Sequence, residues 1–207
     1  MTQKAFIKIL DKKRYSYEIK GDKIIVTHGG DIVFKKLKSL PPGVVFGNRG
    51  EVDLSSLTSL PPGVEFNNGY DVYLNSLETL PHDVEFRNRG GVYLDSLKTL
   101  PPGVEFNNGG DVYLGSLETL PPGVEFKNGG DVYLGSLETL PLGVEFKNGG
   151  YVDLQSLTYI TPGVGFNNRA GVYLSPIEWF SEWEGNIEGI DSKRLLNMMI
   201  KQGIFER

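Results

Sequence analysis

The sequence predicts an all-β chain folded as a parallel β-solenoid of about eight 20-residue coils, closed at each end by a non-repeating cap. Three observations carry this. The chain matches itself at an offset of 20 residues, without insertion or deletion, from Gly21 to about Phe180. Each repeat holds two short apolar/polar alternations, Val124-Glu125-Phe126 and Val132-Tyr133-Leu134 in one copy, with the period of a half-buried strand. Between them lies turn chemistry, Asn128-Gly129-Gly130 on one side and Pro121-Pro122-Gly123 on the other. A fixed short period means that each repeat buries its apolar face only against its neighbours.

The elements follow in chain order. Residues 1–20 are the N-terminal cap. Lys4 to Lys13 is expected to form a short helix burying Phe6, Ile9 and Leu10. Tyr15 to Lys20, Gly21-Asp22 and Lys23 to Thr27 read as a hairpin with a two-residue turn. Such a cap is needed because the end of a solenoid exposes sheet edges. Residues 21–180 are the array. Its first coil is degenerate but in register, with Ile24 and Val26, Ile32 and Phe34, Leu37 and Leu40 at the inward positions. Later coils offer Val, Phe, Val, Leu, Leu and Leu, one apolar column each. The last coil departs, with Thr161 in place of Pro and Pro176-Ile177-Glu178-Trp179 in place of the Ser-Leu segment. Residues 181–207 are the C-terminal cap, where Asp191 is a good N-cap for a helix over 192–202 with Gly203 as its stop.

Two polar columns read as structural. Asn48, Asn68, Asn88, Asn108, Asn128, Asn148 and Asn168 share one position, where a buried amide needs partners from a stacked Asn or from the turn backbone. Ser56 through Ser156 form a second column suited to satisfying turn backbone groups.

Composition excludes several classes of function. The chain has no cysteine, which removes disulfides, thiolate metal sites and thiol nucleophiles and favours a cytoplasmic setting. No apolar run approaches the ~20 residues of a membrane span, and the N-terminus lacks the features of a signal peptide. His28 and His82 sit at unrelated repeat positions without a matching nucleophile. No phosphate loop or His cluster is present, so neither a catalyst nor a cofactor is expected. Asn-Gly-Gly-Asp at 108–111 and 128–131 is similar to calcium-binding Gly-Asp turns but lacks their full spacing, and no metal is expected there. The net charge of −5 is uneven. Residues 1–40 carry ten Lys/Arg against four Asp/Glu, and residues 41–174 carry seven against sixteen.

Val112-Tyr-Leu-Gly-Ser-Leu-Glu-Thr-Leu-Pro121, and the run from Val132, resemble the tail of leucine-rich repeats such as those of short-repeat bacterial effectors. The likeness covers half of each repeat. Here the segment is one residue short, Ser stands near the expected Asn, and the Val-Glu-Phe strand has no counterpart. The Leu-Pro-x-Gly-Val-x-Phe-x-Asn-x-Gly pattern is also similar to repeats of phage and bacterial proteins. That resemblance implies an origin, with a host or defence protein as target in the host cytoplasm.

Outward positions carry the functional expectation. Tyr73, Tyr93, Tyr113, Tyr133 and Tyr173 line one face, interrupted by Asp53 and Asp153, with Asp71, Asp111 and Asp131 beside them. Tyrosine offers large, rigid, amphipathic contact area at low entropy cost, and stacked rings also stabilise a sheet. Glu65, Glu85, Glu105, Glu125 and Glu145 form a second column, with Arg87, Lys127 and Lys147 two residues on and facing the same way. The expectation is a non-enzymatic module that binds another protein through these columns, with no small-molecule substrate and no direct nucleic-acid binding. Two alternatives stand beside it. One is an acidic mimic of nucleic acid that inhibits a DNA- or RNA-handling enzyme. The other is a structural module that self-associates through its Tyr faces.

Overall fold

The computed structural model describes residues 1–161 and 163–174. The expected helix at 192–202, and Trp179, Phe180 and Trp183 ahead of it, lie outside the described residues. Helix α1 spans Gln3–Lys13. Thr2 caps it by accepting the Ala5 amide at 3.2 Å, and Arg14 ends it in the left-handed conformation. Its apolar residues Phe6 and Leu10, one turn apart, are buried, and Phe6 packs on Phe34 with ring centroids 5.7 Å apart. Strands β1 (Tyr17–Lys20) and β2 (Lys23–Val26) pair antiparallel, and β2 then pairs in parallel with Val44–Phe46 of the next coil. The hairpin thereby covers one sheet. The second sheet begins at Ile32–Val33, where the Tyr15 hydroxyl accepts the Val33 amide at 3.0 Å.

Beyond the cap the chain is a parallel β-solenoid of about eight turns with the predicted register. One sheet has nine strands, β1 and β2 followed by the strands that end in Phe46, Phe66, Phe86, Phe106, Phe126, Phe146 and Phe166. The other has eight, from Ile32–Val33 to Val172–Leu174. Most strands are only two residues long, and each residue pairs with its counterpart 20 positions on, Phe106 with Phe126 and Val112 with Val132. A third side is only partly ordered into strands. Thr139–Leu140 pairs with Tyr159–Ile160, and Ser59/Thr79 and Thr99/Thr119 form single bridges. Tight turns precede it, as where the Leu117 amide donates to the Leu114 carbonyl at 3.0 Å.

The core is one continuous column. Phe46 through Phe146 are fully buried and Phe166 nearly so, and neighbouring rings stack at 5.2–5.6 Å with planes within 10° of parallel. Parallel in-register strands force this repetition, because a one-residue slip would turn every inward side chain outward.

The Asn column is also buried, and the turn backbone supplies its partners. Asn108 Nδ2 donates to the carbonyls of Gly90 (3.0 Å), Gly110 (3.0 Å) and Asp111 (3.2 Å), so one amide clamps its own turn to the coil before it. Its neighbours repeat the pattern. The Oδ1 atoms of Asn48, Asn68, Asn88, Asn108, Asn128 and Asn148 are buried and accept no hydrogen bond. Ser56, Ser136 and Ser156 behave as expected, each donating to carbonyls of the preceding coil. Beside the Asn column the backbones run so close that a Cβ on Gly129 would lie 2.2 Å from the Gly109 carbonyl oxygen. The turn opposite needs glycine for another reason, since Gly123 has φ +74°.

Candidate protein-binding faces

Four of the five predicted tyrosines form one stack. Tyr73, Tyr93, Tyr113 and Tyr133 project from successive strands, with centroid separations of 4.7, 4.4 and 4.6 Å. The separations match the coil rise, so sheet register sets the rings face to face over a length of ~14 Å. Tyr173 stands apart. Asp153 fills the intervening coil, and Tyr173 packs instead on Tyr151 at 5.0 Å.

Asp71, Asp111 and Asp131 lie beside the stack, and each uses both carboxylate oxygens. One oxygen accepts the Tyr hydroxyl of its own coil, at 3.1, 3.0 and 3.2 Å for Tyr73, Tyr113 and Tyr133. The other accepts a backbone amide of the next coil, from Gly91, Asp131 and Tyr151 at 2.7, 2.8 and 2.6 Å. These carboxylates are inter-coil ties that also orient the tyrosines. Burial pushes the phenols of Tyr73, Tyr93, Tyr113 and Tyr133 above their ordinary range, and the neighbouring aspartates add to it.

Glu65, Glu85, Glu105, Glu125 and Glu145 pair strand to strand in the other sheet and face outward. Nearby groups answer their charge. Lys23 meets Glu65 at 2.6 Å, Arg87 meets Glu85 at 2.6 Å, and Lys127 meets Glu125 at 2.5 Å. Lys147 bridges Glu125 and Glu145, and Asn107 donates to Glu105 at 3.0 Å. The hydrogen bond from Lys127 holds the Glu125 carboxyl below its usual range, with Lys147 assisting.

The two histidines are far apart in the fold. His28 packs on Tyr15 with centroids 5.0 Å apart, and His82 lines an open pocket with Asp83, Glu85 and Arg87. Among the described residues no cluster of His, Asp or Glu could hold a metal ion, and no helix is long and apolar enough to cross a membrane. One surface escaped the sequence reading. Arg49 and Arg89, two coils apart, flank Gly69 and the exposed ring of Tyr70 in a groove of about 610 Å³. Its signal was the alternation of Arg and Gly just after the Asn column.

Comparison with protein-family models, with curated proteins and with solved structures finds no match to the chain. The likeness to leucine-rich repeats therefore rests on the repeat motif alone.

Proposed function

We propose that the chain is a non-enzymatic binding module whose Tyr face docks another protein. The observation that carries this is the four-ring stack of Tyr73, Tyr93, Tyr113 and Tyr133, fixed by sheet register and, at three of its rings, by Asp hydrogen bonds. A surface ordered before binding loses little side-chain entropy when a partner arrives. Asp71, Asp111 and Asp131 act through the tyrosines, and the Glu column on the other sheet is a second, charged face. Nucleic-acid mimicry draws less support, because Lys23, Arg87, Lys127 and Lys147 answer four of the five glutamates of that column in place. By resemblance, a phage or bacterial setting makes a host or defence protein the target.

The test compares capture of partners from a bacterial lysate by the natural chain and by a Tyr93→Ala/Tyr113→Ala/Tyr133→Ala variant whose circular dichroism shows retained β structure. A protein held by the first and lost by the second supports the Tyr face. Equal capture by both overturns it, and tyrosine-dependent pairing of the chain with itself alone favours self-association.

A further inference from the structure

Several cations of the shaft, and Lys20 and Lys23 of the hairpin, meet a carboxylate, whereas one lysine cluster at the N-terminal end meets none. Arg87, Lys98, Lys127 and Lys147 each meet a glutamate. Lys13, Lys35 and Lys36 form no ion pair among the described residues, and together they rim a pocket of about 470 Å³ between α1 and the first coil. Its floor is apolar, made by Ile9, Val33, Phe34 and Leu37. Lys13 Nζ lies 5.7 Å from the ring centres of both Tyr15 and Phe34, which holds its charge over that floor. An apolar floor inside a cationic rim selects an apolar group carried next to negative charge. A bare phosphate would leave the floor uncovered, and a neutral hydrocarbon would leave the rim unanswered.

The chain itself carries such a group. Residues 178–191, outside the described residues, contain Glu178, Glu182, Glu184, Glu188 and Asp191 and no Lys or Arg, interleaved with Trp179, Phe180 and Trp183. Chain length bears on which copy supplies it. The pocket is on the first coil and Leu174 on the eighth, seven coil steps or ~34 Å away. A fully extended chain covers at most ~3.6 Å per residue, so Trp179 reaches ~18 Å from Leu174 and Trp183 ~32 Å. Trp179 therefore falls far short of the pocket of its own chain, and Trp183 would meet it only with every residue from Leu174 fully extended along the rod, which favours a second copy as the donor. We propose that the pocket rimmed by Lys13, Lys35 and Lys36 receives the acidic aromatic segment around Trp179–Glu184 of a second copy of this chain. The contact joins rods head to tail. Being heterologous, it generates strings of rods and not closed pairs unless rotation brings the ends together. It is independent of the Tyr face.

Light scattering of the full chain over a concentration series tests this. The mean mass should rise with concentration and fall with added salt. A pocket-reversed variant, Lys13→Glu/Lys35→Glu/Lys36→Glu, and a tail-reversed variant, Glu178→Lys/Glu182→Lys/Glu184→Lys, should each associate at least tenfold more weakly. Mixing the two should restore association, because each then offers the charge that the other lacks. A third variant, Trp179→Ser/Trp183→Ser, should weaken association with the charges intact. The tail variants also guard against a pocket variant that fails to fold. A natural chain that stays monomeric throughout, association that survives both reversals, or a mixture no larger than its components would each overturn the proposal.

Discussion

Replacing Asn108 tests the reading of the Asn column most directly. Its Nδ2 has two hydrogens shared among three carbonyls, those of Gly90, Gly110 and Asp111. All three carbonyls keep another donor when it is removed, the amides of Gly110, Gly130 and Val92 respectively. Asn108→Ala therefore loses about two hydrogen bonds, each worth ~1 kcal/mol net, and orphans no carbonyl. It also removes an Oδ1 that is buried without a partner, which returns part of that loss. The balance is a destabilisation of ~1–2 kcal/mol. Asn108→Asp has nearly the same shape and the opposite consequence. It puts a carboxylate oxygen against three carbonyl oxygens in a buried site, and an uncompensated buried charge costs ~3–5 kcal/mol. Such a carboxyl has a folded pKa raised above its unfolded value. Its neutral form is thus favoured on folding, and the penalty grows as pH rises above about 4. Urea unfolding of the natural chain and both variants, at neutral and at acid pH, reads these differences. The reasoning fails if Asn108→Asp costs no more than Asn108→Ala, or if acidification does not narrow the gap between the carboxylate variant and the natural chain.

Three further outcomes are expected. Gly129→Ala places a methyl 2.2 Å from the Gly109 carbonyl oxygen, a backbone atom that cannot swing aside, and should cost at least ~2 kcal/mol in urea unfolding. Gly135→Ala meets nothing within 4 Å and should stay within about 0.5 kcal/mol, so similar losses from both would contradict the close-approach account. Phe106→Ala interrupts the ring column and should cost ~3–5 kcal/mol, with hydrogen exchange rising first in the coils on either side. In an alkaline titration, Tyr73, Tyr93, Tyr113 and Tyr133 should ionise late, because burial foremost, then the aspartates, raise their folded pKa. Their contribution to stability is then complete below pH ~10 and lost as pH rises past that value. A single tyrosinate transition for all the tyrosines, with its midpoint at pH ~10 and the β signal intact, would count against it.

Much of the fold was legible because a 20-residue period leaves little choice. Once Phe46 and Phe66 share a position, parallel in-register pairing fixes every other contact, and the strands, the inward columns and the hairpin cap follow. The Asn column was legible as buried, but its partners were not. Whether an amide meets its stacked neighbour or the backbone depends on how closely the turns approach, which the glycines at 109, 129 and 149 set. The third side was harder to read, since Ser-Leu-x-x-Leu-Pro gives turns and isolated bridges without the alternation that marks a strand. Within the candidate site, the tyrosine face could be read from the spacing. The double duty of Asp71, Asp111 and Asp131 could not, because the amide each one ties lies 20 residues away and carries no side-chain signature.

That double duty separates the roles of the two outward faces. On the acidic face a Lys or Arg two residues on answers Glu85, Glu125 and Glu145 from within the same coil, so those coils add no net charge to the face, while Asn67 and Asn107 stand there after Glu65 and Glu105. On the tyrosine face each Asp answers the coil above, so the stack is rigid only where consecutive coils supply the parts. Gly91 omits the carboxylate once, and Tyr93 stays stacked between its neighbours without an Asp of its own. Asp153 omits the ring, and there the stack ends. Ring-to-ring contact, more than the Asp ties, therefore sets the length of the tyrosine strip. Replacing Asp153 with Tyr should join Tyr133 to Tyr173 and extend the strip from four rings to six, since sheet pairing already aligns these positions. If the strip is the binding surface, affinity for its partner should change with that extension and not with changes to the paired glutamates.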